Sequence, residues 1–344
     1  MLSDTSPRLR KLLAVELGAF GFFGVFWGTF AVLLTDLTSS LGLSPGPLGI
    51  ALFVGAAASI LAMAALGWTA DRLGRRVFLL AFGGVMGLGI AGLALVDGYT
   101  VLLVALAVLY AASGLYDVGI NAAAVDLEKT SGRRFMAFLH AAFSFGGVTG
   151  ALSAGALLQA GVDYRFVYLM VLTPLAAVML AVATCQFPSP EPQPRGVEKE
   201  RGLYRSLPLL LVAAIATLGL LSEGEMEHWS GLYLRQTLGL SALLGGSGVA
   251  VFFGAMTLGR LGATWTIVRF GDRRTLLGAG LLTAAGMSLA LATREPALVV
   301  VGFLVVGLAL SAIVPIAFSV AGDLAPGRAG AAISVVTTLG YGGF

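Results

Sequence analysis

Asp117 and Asn121 stand four residues apart inside an apolar run at about 100–125, and His140 stands inside the next run, at about 135–160. Side chains four apart share one face of a helix. A carboxylate, an amide and an imidazole facing one space can hydrogen-bond a polyol or sugar, or relay a proton. The same groups can also serve only to clamp two helices together. Counting back from Glu128 at about 1.5 Å per residue puts Asn121 roughly 10 Å and Asp117 roughly 16 Å into a membrane, with His140 near the depth of Asn121. A second cluster lies at about 207–234, where Glu223, Glu225, Glu227 and His228 fall in one run. Glu223 and Glu227 share a face that Ser230 continues, and Glu223 is nearest the middle. An ionisable group at the centre of a membrane span costs at least about 2.5 kcal/mol, which makes it a functional candidate by default. Glu223 is therefore a candidate for proton coupling or substrate contact. Glu225, Glu227 and His228, counted nearer the outer surface, read more simply as the wall of a vestibule.

Aromatic and outlying polar residues complete the inventory. Trp27 stands among Phe23, Phe26 and Phe30, and Trp229 lies beside the glutamates. Either tryptophan can stack on a ring-shaped ligand, and either can simply pack. Glu16 is shallow by residue count, so snorkelling or an inner salt bridge is expected of it. Arg260, inside a run, is expected to pair with an acidic group or to snorkel. Pro315 suggests a kink or hinge.

The composition says which elements hold these groups. Of 344 residues only 11% are charged and 58% are hydrophobic, and the mean hydropathy is +0.93. Soluble domains carry roughly a quarter charged residues. A bilayer span takes about 20 mostly apolar residues, and such runs follow one another at about 12–34, 47–70, 77–96, 100–125, 135–160, 164–186, 207–234, 241–267, 275–293 and 296–322. An eleventh begins near 329. The runs lack the two-residue alternation of barrel strands. The first is too long for a cleavable signal peptide, and no small-residue cleavage site follows it. The expectation is an all-α polytopic membrane protein. With 2 His and 1 Cys (Cys185) there is no metal-ligand spacing and no intrachain disulfide. No phosphate-binding G-x-x-x-x-G-K-[ST] loop and no nucleophile–base pair occurs. Neither a metal, a cofactor nor an enzyme active site is therefore expected.

Charge gives the orientation. Numbering the loops alternately puts the basic residues at 8–11, 72–76, 129–134, 195–205, 269–274 and 328 on one side. Arg165, Arg235 and Arg294 alone fall on the other. By the positive-inside rule the first side, with the N-terminus, is cytoplasmic. That reading makes the sequence pI of about 9.2 a matter of loop topology rather than nucleic-acid affinity. The plasma (inner) membrane, a lipid environment and a monomer are expected.

The chain also repeats itself. Shifted by 197 residues, Ala70–Arg76 overlays Ile267–Arg273, matching Arg72, Gly74 and Arg76 to Arg269, Gly271 and Arg273, while Asp71 becomes Val268. A shift of 194 places Arg134 on Arg328, Ser144 on Thr338 and Gly146 on Gly340. The seam is the proline- and charge-rich stretch from Pro188 to Arg201, which reads as a solvated linker. Two parallel six-helix bundles are expected, at 1–187 and 207–344, joined by a cytoplasmic linker at 188–206. On this overlay the second half ends inside its fifth helix, roughly 35–40 residues short of the first, so about 11 of 12 helices are present.

The stretch Gly67-Trp-Thr-Ala-Asp-Arg-Leu-Gly-Arg-Arg76 between the second and third spans completes a pattern. With two parallel halves and a linker, it resembles the major facilitator superfamily, whose signature in this loop is G-x-x-x-D-R-x-G-R-[RK]. Gly67, Asp71, Arg72, Gly74, Arg75 and Arg76 match it. The resemblance implies two bundles around a central cavity, with the substrate near the midplane. It also implies that Asp71 and Arg72, assisted by Arg75 and Arg76, latch the cytoplasmic side. Physically, Asp71 is placed to cap the following helix, Gly67 to allow close helix approach and Gly74 to allow a tight turn. Asp117, Asn121, Glu128, Arg134, His140, Ser144, Glu223, Trp229 and Pro315 further resemble the fucose-permease-like branch. Drug/proton antiporters usually carry an arginine in the middle of helix 4 and a Gly-Pro pair in helix 5; this chain has Asp117 and Gly146-Gly-Val-Thr-Gly150 there.

Together these readings predict a secondary transporter of a small polar solute, sugar-like or another metabolite, coupled to protons by alternating access. Efflux of amphipathic drugs on the same fold is the alternative, motivated by 20 phenylalanines and the aromatic run of the first span. A non-transporting membrane sensor or scaffold is the alternative of another class.

Overall fold

The computed structural model describes residues 7–133, 135–188, 203–325 and 329–343. Arg134, Arg328 and residues 189–202 of the linker therefore lie outside the described residues. The chain forms two compact units, Met1–Pro192 and Gln193–Phe344. The described residues of both are helical, with no strand among them. Among the described residues ten helical stretches are long and apolar enough to cross a membrane, and they fall on the ten runs seen in the sequence.

In the first unit α1 spans Pro7–Ser40, α2 Pro45–Leu66, the short α3 Thr69–Leu73, α4 Arg75–Ala94, α5 Tyr99–Ser131, α6 Met136–Gln159 and α7 Tyr164–Ala183. The breaks have local causes. Gly42 at φ 61° turns the chain after α1, and Ser44 with Pro45 at the first helical position opens α2. Gly132, left-handed at φ 66°, stops α5 and returns its N–H to the Glu128 carbonyl. The Glu128 carboxylate then accepts from the backbone N–H groups of Phe135 and Met136, so it holds the start of α6.

The closest packing in this unit is between α1 and α6. A Cβ built on Gly24 would fall on the Phe143 carbonyl, one on Gly28 on the Gly147 carbonyl, and one on Gly150 on the Val25 carbonyl. The two backbones touch with no side-chain layer between them, as small residues permit between membrane helices. Thr29 Oγ1 donates to the Gly150 carbonyl at 3.3 Å across the same seam.

In the second unit α8 spans Leu207–Leu232 and runs into a π turn at Tyr233–Thr237. Next come α9 at Ala242–Phe270, α10 at Asp272–Ala292, α11 at Pro296–Leu310, α12 at Ile313–Leu324 and α13 at Ala329–Gly340. The run predicted as one span at 296–322 breaks at Ser311 and Ala312. Pro315 falls in the first turn of α12, where its missing N–H costs no helical hydrogen bond. The kink expected of Pro315 is thus a helix restart just before it.

Candidate functional site

The loop between α2 and α4 is built around Gly74, at φ 79° and ψ 151°, a region open in practice to glycine alone. That turn starts α4 at Arg75 and points the Arg75 side chain into the unit. Arg75 is 6% exposed. Its Nη1 lies 2.7 Å from Asp71 Oδ1, and its Nε donates to Asp126 Oδ2 of α5 at 2.8 Å. Two expectations change here. Asp71 does not cap α4; no side chain does, and Asp71 instead pairs with Arg75 one turn on. Gly67 sits against the Met63 carbonyl of its own helix rather than against a neighbouring helix. Arg72 and Arg76 are exposed, and the Arg72 guanidinium lies 5.9 Å from the Trp68 ring centroid. Arg75 is thus the arginine of the three that the fold buries, and the one it ties to another helix.

Higher in the same unit, Asn121 Nδ2 donates to both the Asp117 carboxylate and the Asp117 carbonyl, each at 2.9 Å. One amide therefore fixes the orientation of the carboxylate, and both side chains remain half-buried. His140, also half-buried, lies edge-on to Phe20 of α1 with ring centroids 5.3 Å apart. Trp27 is packed, with Phe23, Phe26, Phe30 and Tyr110 all placing rings within 6.2 Å of its own. Glu16 departs most from its sequence reading. It neither snorkels nor makes an inner salt bridge: it is fully buried, and neither carboxylate oxygen has a hydrogen-bond partner among the described residues.

In the second unit α8 and α9 bring Glu223 and Arg260 together, with Glu223 Oε1 accepting from Arg260 Nη2 at 3.0 Å. Both side chains are largely buried. Glu227, one turn along α8, is 2% exposed, and its Oε2 has no partner among the described residues. His228 is also buried, its Nδ1 2.7 Å from the Gly224 carbonyl. Glu227 and His228 are thus not the exposed vestibule wall that residue counting suggested. Glu225, pointing the other way, is exposed, and Trp229 is half-buried. A charged pair taken out of water demands good geometry and hydrogen bonds. Here one guanidinium serves a face that carries two carboxylates.

Beyond the geometry, the sequence model of the Major Facilitator Superfamily matches residues 17–344, nearly the whole chain. The chain belongs to the Major Facilitator Superfamily. It is accordingly a multi-pass membrane transporter. It is 33% identical to an uncharacterized MFS-type transporter of Yersinia pestis, over 98% of this chain and 87% of that one. It is 27% identical to the membrane protein MosC of Rhizobium meliloti, over 97% and 82%. Among solved structures the fold is similar to that of the nucleoside transporter NupG, with a TM-score of 0.81 and 14% identity over 96% of this chain and 88% of that one. It is also similar to a D-xylose–proton symporter, at 0.74 and 15% over 98% and 88%.

Proposed function

We propose that this superfamily member is a secondary active transporter of a small polar solute, sugar-like or a related metabolite, driven by protons and working by alternating access. It would act as a monomer in the plasma (inner) membrane with its N-terminus in the cytoplasm. The observation that carries the reading is the α8 face where Glu223 holds Arg260 while Glu227 stands buried one turn away. A single guanidinium beside two carboxylates leaves one negative charge to neutralise inside a span, and a proton is the simplest ion to do so. Asp117, oriented by Asn121, and His140 supply the polar hydrogen-bonding groups that a hydroxylated solute needs. These residues also support the likeness to the fucose-permease-like branch. The structural neighbours named for a nucleoside and for D-xylose are consistent with a small polar cargo. In the signature loop, Asp71 and Arg72, with Arg75 at its buried centre and Arg76 beside it, would serve as the cytoplasmic latch. The aromatic run that motivates drug efflux is occupied in packing around Trp27, which weighs against that alternative.

The test is thermal stabilisation of the protein in detergent against sugars, polyols, organic acids and lipophilic cations. A true ligand at 100 times its Kd adds about 2.7 kcal/mol of stability. A sugar or polyol hit that disappears in Asp117→Ala is the expected outcome. A hit confined to lipophilic cations, unaffected by that substitution, would replace this reading with efflux.

A further inference from the structure

The first unit carries a feature that neither the proposed solute site nor the signature loop uses: an open groove of about 300 Å³ between α1 and α7. Its α1 wall is Ala14, Val15 and Gly18, and its α7 wall is Ala177, Val178 and Ala181. The cause lies in side-chain size. Ala14, Gly18 and Ala177 are exposed and small, whereas the exposed face of α7 elsewhere bears Phe166, Met170 and Leu180. A Cβ built on Gly18 would meet Val178 alone, at 3.9 Å, so α7 does not fill the space that the glycine leaves. From Lys11 to Gly18 the groove follows α1 for two turns, about 10 Å along the axis.

One end of the groove is charged. Lys11 lines it there, and its Nζ donates at 2.9 Å to the carbonyl of Thr184, the residue that follows α7. That bond satisfies a carbonyl at the end of α7 and fixes the ammonium at the groove mouth. An ammonium carries three donors, so one bond does not exhaust it. Arg8, also exposed, stands one turn before Lys11 on the same face of α1. The first turn of α1 holds no acidic residue, and no salt bridge to Arg8 or Lys11 is found among the described residues. Two cations thus share the positive end of a helix dipole, an arrangement that favours an anion. A soluble anion would answer the cations and leave the apolar groove unfilled, and a neutral chain would do the reverse. A molecule with an anionic head and an apolar tail answers both, and basic pockets between helices at a membrane surface are suited to lipid headgroups.

We propose that the α1–α7 groove binds one anionic phospholipid, its phosphate on Lys11 and Arg8 and an acyl chain laid inward as far as Gly18. The small residues distinguish this lipid from its neighbours in the bilayer, because a chain lying in the groove touches two helices rather than one. The occupant is independent of the transported solute.

The test is native mass spectrometry of the full chain in detergent, titrated with phosphatidylglycerol, with phosphatidylcholine of the same chains and with glycerol phosphate as the bare headgroup. No cargo enters the experiment, so a failure of the solute reading would not touch it. One phosphatidylglycerol per chain should be retained in preference to the other two. Lys11→Gln with Arg8→Gln should weaken its binding about thirtyfold. Glutamine at 11 can still donate to the Thr184 carbonyl, and Lys11→Arg should bind as the wild type does. Ala14→Leu with Ala177→Leu, both at exposed positions, should fill the groove and abolish retention with the charges in place. Thermal unfolding checks that each variant is folded, and Ala177→Leu alone gives the same reading should the pair prove unstable. Arg10→Gln, on another face of α1, should change nothing. Equal retention of the two lipids, or equally tight binding of glycerol phosphate, would overturn the site. So would retention unaltered by filling the groove, which would mean lipid held by surface charge alone. An effect of Arg10→Gln as large as that of the Lys11 and Arg8 pair would overturn it on the same ground.

Discussion

Gly74 and Gly271 carry nearly the same backbone, φ 79° and ψ 151° against φ 76° and ψ 162°, and each opens a long helix at the next residue. The 197-residue shift that aligns them also aligns Asp71 with Val268, Arg75 with Asp272 and Asp126 with Asp323. The electrostatics differ completely. In the first unit the buried Arg75 is held between Asp71 and Asp126. In the second unit Val268 is 81% exposed, and no salt bridge to Asp272 or Asp323 is found among the described residues. The second loop has the same turn but, among the described residues, not the buried ion pairs. The turn is a steric requirement of the fold in both places, whereas the charge network is a local addition to one of them.

Substitutions can break this contrast. Arg75→Gln strands Asp126 as a buried, unpaired charge, and losing one partner of a buried pair typically costs about 3–5 kcal/mol. In a unit of this size that is on the order of 10 °C in apparent Tm, read by thermal unfolding in detergent at a fixed scan rate. A loss below about 1 kcal/mol would show that water already reaches Asp126. Gly74→Ala and Gly271→Ala should each cost about 1–3 kcal/mol, because both force a side chain into a conformation that only glycine adopts easily. The expected result is near equality; a large difference would mean the shared turn is strained in one unit only. Transplanting the charges with Val268→Asp and Asp272→Arg should build an exposed i, i+4 pair worth at most about 1 kcal/mol. A gain well above that would mean that the new arginine also reaches Asp323. Asp272→Asn, the counterpart of the first test, should change stability by no more than about 0.5 kcal/mol.

The helices were legible because apolar runs of membrane length are unambiguous, and glycine and proline mark most of their ends, as at Gly132, Gly271 and Pro45. The Gly74 turn was legible from the glycine itself. Depth was harder to read. Counting residues placed Glu16 in reach of water and Glu227 and His228 on an outer wall, yet all three are buried. A helix position says how far along the axis a residue lies but not which neighbour covers it. Pairing was only partly readable. Asp117 and Asn121 meet because both lie on one helix, one turn apart. Arg260 and Glu223 meet across two helices whose relative rotation no single stretch of sequence encodes. The loop arginines looked alike for the same reason: the partner that sets Arg75 apart, Asp126, is 51 positions away. An acidic residue near the C-terminal end of the fourth span was the signal that could have singled it out.

The glycine seam between α1 and α6 bears on how the first unit can move. Where helices meet through side chains, rotamers can exchange and one helix can slide on the other. Where backbone meets backbone, as at Gly24, Gly28 and Gly150, there is no such bearing surface, and any relative shift drives a carbonyl into a Cα. The two helices therefore act as a single stiff beam. Phe20, Trp27 and Glu16 ride on that beam together with His140, so a displacement at one end of it is delivered undiminished to the other.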